Sequence, residues 1–399
     1  MLGLKRLPSL LKFSTFASQR RFLKTVSLTC MPRNVGFKIQ EVSPSLGKDK
    51  TVAEDGAHGD FSSSLFSMHK REELSRKLFW EEKPRTVLFT KKPRDAKSAL
   101  AASRMSKWLT REHGIKCLVK PEMAGEFDEL GHECDDLYTY SPEEASLIPT
   151  TVDLVVTLGG DGTILHSAGL FTERVPPLLP FAMGTLGFLT PFSVKDFKET
   201  FSNCLDISKG MHATKRRRLE CLIIEKDEER ELQRGSVLDR FLIMNDVVVR
   251  RFTRPIVLPI HTTVDGLDLV QYGGDGLVIA TPTGSTAYSM SCGGSLVHPC
   301  IEGILFTPIC PSSALNRPSI MRDDSVFCVE VKRTASVISD GVEGRVLKPG
   351  QKLQVTSVEF PVYTIHRRDD ITAWVSDIND CLRWNEDLNE RRSGDIPTA

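Results

Sequence analysis

Two short stretches of the chain set a carboxylate among glycines: Gly159-Gly160-Asp161-Gly162-Thr163 and Gly273-Gly274-Asp275-Gly276. The first follows Thr151–Leu158, which is nearly continuous in apolar residues, as a strand covered on both faces should be. Open α/β sheets bind ligands beyond the carboxyl ends of their strands, and glycines let main-chain N–H groups approach a phosphate closely. The turn therefore reads as a phosphate cradle carrying one carboxylate. Beside a bound sugar, Asp161 alone suffices as a general base toward a hydroxyl. The bland alternative is a glycine-rich turn in which Asp161 bonds its own backbone. Neither a Gly-x-x-x-x-Gly-Lys-Ser/Thr loop nor a Gly-x-Gly-x-x-Gly fingerprint occurs, so another nucleotide architecture is required.

Further along, Asn245 and Asp246 interrupt the apolar run Phe241–Val249, where adjacent polar groups need partners. Asn245 can read an adenine or hydroxyl edge, and Asp246 can accept from ribose hydroxyls or a carboxamide. A bulge or turn between strands would equally place such a pair there. Thr286, Ala287, Tyr288 and Ser291 follow a Pro-Thr-Gly-Ser turn, where small side chains leave room for a ligand and Tyr288 offers a flat face, although an aromatic at this spacing is more often core. Lys215-Arg216-Arg217-Arg218 could draw in phosphates, although a charge run is more often a solvated face. Ser339-Asp340-Gly341 reads as a tight turn, and His166 and His298 as structural histidines.

The motifs, in this order, resemble those of the NAD kinase family. Gly159–Thr163 matches its Gly-Gly-Asp-Gly-Thr turn. Met183-Gly184-Thr185-Leu186-Gly187-Phe188-Leu189-Thr190 matches the segment that follows, Asn245-Asp246 its Asn-Glu or Asn-Asp pair, and Gly274–Ser291 its long glycine- and threonine-rich block. The resemblance covers roughly residues 85–390. It implies transfer of the γ-phosphoryl group of ATP to the 2′-hydroxyl of the adenosine ribose of NAD⁺ or NADH, with Asp161 as general base. It also implies that Gly160, Asp161, Gly162, Phe188, Asn245, Asp246, Asp275, Thr286, Ala287, Tyr288 and Ser291 bind the dinucleotide, Asp275 across a subunit boundary of a homo-oligomer. Mg²⁺ would be held by ATP phosphates and water, with no protein metal site. The family often has Glu at Asp246 and, in some relatives, Arg at Gly273. A lipid kinase of the diacylglycerol or sphingosine type shares the glycine turn but not the Asn245-Asp246 pair or the Thr283–Ser291 block. A catalytically silent NADP(H)-binding protein would use the same pocket.

These residues need a scaffold, and the hydrophobic pattern supplies one. Thr86–Thr90, Lys116–Val119 and Thr151–Leu158 read as strands, with a helix over Ala96–His113 ended by Gly114. Strands alternating with helices predict a parallel sheet in Rossmann-like layers over residues 85–206. From Leu219 on, short β-branched pieces separated by Gly, Pro or Asp predict an all-β domain over residues 207–370, which the resemblance implies is the dinucleotide-binding one. The expected fold class is thus an α/β N-terminal domain plus an all-β C-terminal domain, the NAD kinase fold. Residues 371–399 read as a C-terminal helix and tail. Residues 41–84 read as a largely disordered linker with at most one helix around Ser67–Trp80.

The 399 residues carry 52 Lys plus Arg and 52 Asp plus Glu, so no global basic field exists to hold a nucleic acid. No apolar stretch reaches the ~18 residues that would span a bilayer. Residues 1–40 hold eight Lys or Arg and no acid, which leaves the body at a net charge of −8. This Ser- and Thr-containing leader resembles a mitochondrial transit peptide, with Arg20–Thr25 like a processing site, and implies the matrix. The ten cysteines show no Cys-x-x-Cys pair and read as reduced thiols.

Overall fold

The computed structural model describes residues 23–41, 76–129, 134–185, 187–225, 236–252, 256–368 and 370–383. The leader up to residue 22, the bulk of the predicted linker, Leu186 and the tail beyond 383 lie outside them.

Four strands, Thr86–Lys91, Lys116–Val119, Leu154–Gly159 and Leu178–Ala182, pair in parallel around Leu154–Gly159. Their residues are buried almost without exception because helices cover both faces. One face packs Val87, Phe89, Val156 and Leu158 against Met105 and Leu109 of the helix Ala96–His113. The other sets Leu88 and Val155 against Ile164 and Ala168 of the helix Asp161–Ala168. The Ala96–His113 helix begins where the Asp95 carboxylate accepts the Ser98 N–H at 2.8 Å and stops at Gly114, whose φ of 67° suits glycine.

The second half folds into two six-stranded antiparallel sheets. Their inward residues alternate along each strand and form one core: Leu219, Cys221, Phe327 and Leu353 from one sheet meet Val247, Leu277, Phe306 and Val337 from the other. The predicted fold class, α/β followed by all-β, is the observed one.

Three expectations about boundaries need correction. Within the predicted leader, Lys24–Val26 pairs in parallel with Leu137–Tyr140, and Phe37–Glu41 pairs with Arg76–Trp80, so residues 23–41 belong to the fold. Arg76–Trp80 is a strand, not part of a helix: Leu78 and Trp80 are buried on alternate positions, the period of two that five residues could not make evident in sequence. The two halves are also interwoven. Met211–Arg216 and Val362–His366, from the stretch read as the second domain, pair with each other, and Val362–His366 joins Leu178–Ala182 of the first sheet. The chain thus enters and leaves the sandwich through the α/β sheet. The C-terminal helix runs from Asp370 to Leu382, and the predicted tail beyond residue 383 lies outside the described residues.

The N-terminal strands are tied down by the buried Asp153 carboxylate, which accepts the N–H groups of Val35 at 2.6 Å, Arg85 at 2.7 Å and Thr86 at 2.8 Å. Deleting residues 1–22 should leave the thermal midpoint within about 2 °C, whereas deleting residues 1–41 should lower it by roughly 5 °C or more, because two strands are lost and Asp153 keeps two of its three donors. Differential scanning calorimetry of the two truncations makes the comparison.

Candidate active site

The strand Leu154–Gly159 ends at the sheet's carboxyl edge, and Asp161 begins the helix Asp161–Ala168 with Gly160 as its N-cap. A carboxylate in the first helical turn is favoured by the free N–H groups there. Asp161 does not bond its own turn. Its Oδ1 accepts the Leu189 N–H at 3.1 Å, and the Phe188 N–H also points to it. The loop approaches this closely because Gly187 has no side chain: a Cβ there would stand 2.4 Å from Asp161 Oδ1. The Gly187 N–H is in turn held by Thr190 Oγ1 at 2.8 Å. Gly160 and Gly162 have open space where a Cβ would be, so the turn leaves room for a ligand.

Burial pushes the Asp161 carboxyl above its usual range, and the nearby Asp377 carboxylate adds to that; the Leu189 and Phe188 N–H groups and the Arg216 guanidinium oppose it. Burial, the larger effect, keeps a proton acceptor of moderate strength at the sheet edge.

Asn245 lies where the chain passes from one sheet of the sandwich (Val237–Ile243) to the other (Asp246–Arg251). A carboxylate holds this crossing in place: Asp340 accepts the N–H groups of Met244, Asn245 and Asp246 at 2.8, 2.8 and 3.1 Å. Asp340 sits at φ 46°, a left-handed backbone that Asp tolerates better than most residues. Gly284 packs directly on the crossing, since a Cβ there would meet the Asn245 carbonyl oxygen at 2.1 Å. With its backbone fixed from both sides, Asn245 presents an Oδ1 that is buried and has no hydrogen-bond partner. An unsatisfied buried acceptor is costly unless a ligand donor completes it.

Arg216 is the residue that the sequence reading left open and the fold brings in. Through the end of the strand Met211–Arg216 and the two residues after it the burial of the charged run alternates: Arg216 and Arg218 are buried, while Lys215 and Arg217 are partly exposed and pair with Glu302. Arg218 bolts the layers together through the carbonyls of Phe171, Glu173 and Phe360. Arg216 lines a cavity of about 20 Å³ together with Phe188, Leu189, Thr283, Thr286, His366, Trp374 and Asp377. Of the predicted site, then, Asp161, Phe188 and Thr286 converge here, joined by Arg216, His366, Trp374 and Asp377. For Arg216 the available signal was the period of two beneath a uniform run of charge. His366, Trp374 and Asp377 had no such signal, being distant in sequence.

Asp275 and Tyr288 fall elsewhere. They line a cavity of about 390 Å³ on the outer face of the second sheet, with Arg250, Arg251, Phe252 and Glu343. Asp275 accepts from Arg251 Nε at 2.7 Å. The second Gly-Gly-Asp-Gly is no phosphate turn: it carries the chain between Leu267–Gly274 of one sheet and Gly276–Ala280 of the other. Asp246 links the two regions by accepting the Tyr288 N–H. Ala287 separates the turn Thr283–Thr286 from the short helix Tyr288–Ser291, whose last residue is exposed. Among the described residues no three His, Cys, Asp or Glu side chains converge to hold a metal ion.

Burial and the neighbouring Asp340 carboxylate push Asp246 up to about 7. A carboxyl raised above its unfolded value near 3.9 binds its proton more tightly in the folded protein. The stabilisation is complete below that unfolded value and is lost as pH rises through 7. Across that window the loss amounts to about 4 kcal/mol at most, shared with Asp340. Urea denaturation at pH 5 and pH 8 should therefore show wild type losing more stability than Asp246→Asn; equal losses would clear Asp246 of this role.

Comparisons with known proteins give the family. Family models described as the ATP-NAD kinase N-terminal and C-terminal domains match residues 87–208 and 244–367. A rice (Oryza sativa subsp. japonica) relative is 36% identical over 329 residues, 81% of this chain. The match spans 65% of that rice protein and 60% of a second. The mitochondrial NADH kinase of Schizosaccharomyces pombe is 34% identical, with 79% of each chain covered. Among solved structures, yeast NADH kinase complexed with NADH superimposes with a TM-score of 0.71 at 30% identity, over 82% of this chain and 92% of that one. The chain belongs to the NAD kinase family.

Proposed function

We propose that the chain transfers the terminal phosphoryl group of ATP to the 2′-hydroxyl of the adenosine ribose of NAD⁺ or NADH, giving NADP⁺ or NADPH. The observation that carries this reading is the Asp161 carboxylate, held by the Phe188 and Leu189 N–H groups at a sheet edge beside a cavity lined from both halves of the chain. Asp161 takes the proton of the 2′-hydroxyl as that oxygen attacks the γ-phosphorus. The bond from phosphorus to the β–γ bridging oxygen breaks, and ADP leaves with its electron pair. Such a transfer depends on alignment and charge neutralisation more than on covalent catalysis by the protein. Asn245 Oδ1 accepts from the adenine amino group or a ribose hydroxyl, while Asp246 accepts from the ribose or the carboxamide. Mg²⁺ bound with the triphosphate would supply charge neutralisation there, held by phosphate oxygens and water. Both oxidation states of the dinucleotide share the ribose that reacts, so both serve as acceptors. A lipid acceptor is disfavoured, because the NAD kinase likeness extends through residues 244–367.

Asp275 and Tyr288 contact the dinucleotide from a second copy of the chain in this reading. Their cavity opens on a surface where Phe252, Ile256 and Val257 are exposed. The mitochondrial matrix is the proposed location, on the strength of the basic, acid-free leader and the mitochondrial name of the S. pombe relative.

Protein lacking residues 1–22, given ATP and NAD⁺ or NADH, should form NADP(H). Asp161→Asn should lower kcat by about two to four orders of magnitude and leave the dinucleotide Kd within about threefold. Steady-state kinetics with calorimetric titration separates the two effects; near-normal turnover in the variant would remove Asp161 from the role of base.

A further inference from the structure

The strands Met211–Arg216 and Val362–His366 pair so that His212 faces His366, Thr214 faces Thr364 and Arg216 faces Val362. Residues paired across an antiparallel ladder share a face. One face of this pair therefore carries Ala213 and Ile365 into the apolar core, while the other gathers His212, Thr214, Arg216, Thr364 and His366. The second set is nearly all buried, yet it is polar and cationic. It lies beneath the C-terminal helix Asp370–Leu382, whose Ala373, Trp374 and Asp377 close the cavity above it.

Two side chains in this set are notable. Arg216, 5% exposed, donates from Nε to Thr364 Oγ1 at 2.8 Å and points its guanidinium toward Thr283 Oγ1 at 3.5 Å. His366, 6% exposed, has no hydrogen-bond partner at either ring nitrogen. Its Nε2 stands 3.4 Å from Asp377 Oδ2, close enough for attraction but not aligned for a bond. A buried imidazole with no hydrogen bond at either nitrogen is expensive unless a ligand completes it, and the Arg216 guanidinium lines the same cavity. At present the anion that faces His366 is Asp377, which lines the cavity with Arg216.

Resting on the reading of the chain as an NAD(H) kinase, we propose that Arg216 and His366 form the seat of the transferred phosphoryl group. Asp377 occupies that seat until the donor displaces it. The cavity as it stands, about 20 Å³, holds no more than one water molecule. A second cavity of about 140 Å³ adjoins it, lined by Gly187, Arg367, Arg368 and Asp380, and His366, Ala373 and Asp377 border both. Retreat of the helix would merge the two into a channel running from Arg367 and Arg368 to Arg216, beside the Gly187–Leu189 loop that holds Asp161. An Arg fork recognises phosphate oxygens in pairs, and a phosphate oxygen can accept from the His366 ring that now makes no hydrogen bond. Exchange of Asp377 for phosphate therefore leaves the seat better bonded and brings the phosphorus beside the base. The other charges that face the seat are His212 on the paired strand and Asp161 on the glycine turn.

The test is steady-state kinetics on the full chain, with ATP and NAD⁺ varied separately, and calorimetric titration of inorganic tripolyphosphate without dinucleotide. Asp377→Asn should lower the KM for ATP and the tripolyphosphate Kd by about three- to tenfold. His366→Gln should raise both by about tenfold. In each variant the KM for NAD⁺ should shift less than twofold. Circular dichroism melting curves distinguish a misfolded His366→Gln from an intact one, and Asp377→Asn, at a partly exposed helix position, tests the seat independently. A KM for ATP that rises in Asp377→Asn, or KM values for the two substrates that move together, would overturn the assignment. Absence of NAD⁺ phosphorylation by wild type would overturn the kinase reading instead, and the tripolyphosphate titration would still decide the seat.

Discussion

A half-buried carboxylate held by main-chain N–H groups that belong to another loop is the constraint on which the site depends. Asp161 is placed by the end of a buried strand and the first turn of a helix, but it is oriented by Phe188 and Leu189, about 28 residues away. That arrangement needs Gly187, because any side chain there would collide with the carboxylate. It also needs the parallel strands Leu154–Gly159 and Leu178–Ala182, whose pairing brings the loop after the second strand over the turn after the first. Partial loss of water raises the proton affinity of the group, and the N–H groups keep that rise in check, a balance suited to a base that must be ionised and still accept a proton.

The same device appears twice more, in a purely structural form. Asp340 gathers three consecutive N–H groups at the point where the chain crosses between the two sheets of the sandwich. Asp153 gathers three from two segments, Val35 and Arg85–Thr86, and ties the N-terminal strands to the sheet. In each case a carboxylate satisfies donors that the secondary structure cannot, at places where strands end or change partners. The crossing at Asn245 is thereby rigid enough to leave one buried acceptor unsatisfied.

The interweaving of the two halves has a consequence for chemistry. Because Met211–Arg216 and Val362–His366 join the α/β sheet, the chain delivers Arg216 and His366 to the side of the cavity facing Asp161. Two independent domains joined by a single linker would have left those side chains to a mobile interface. The C-terminal helix then seals this corner, with Trp374 packed edge-on against His298 at 5.2 Å between ring centres.

Much of this was legible in the residues. The buried parallel strands announce themselves by continuous apolar runs, the sandwich by alternation, and the glycine turn by its place after a strand, since each of these is a local pattern imposed by burial on one or two faces. The short strands Lys24–Val26 and Arg76–Trp80 were missed because three to five residues are too few to establish a period. The Lys215–Arg218 run hid its alternation because four cations look alike whether or not every second one is buried. The two Gly-Gly-Asp-Gly stretches look equivalent, yet one opens a helix at a sheet edge and the other spans two sheets. The sequence by itself determined the fold class, the family and the carboxylate at the glycine turn, because these follow from local periodicity and contiguous motifs. Only the tertiary structure decided which distant groups surround that carboxylate, since the meeting of Gly187, Arg216, His366 and Asp377 depends on strand order and on a helix returning from the far end of the chain.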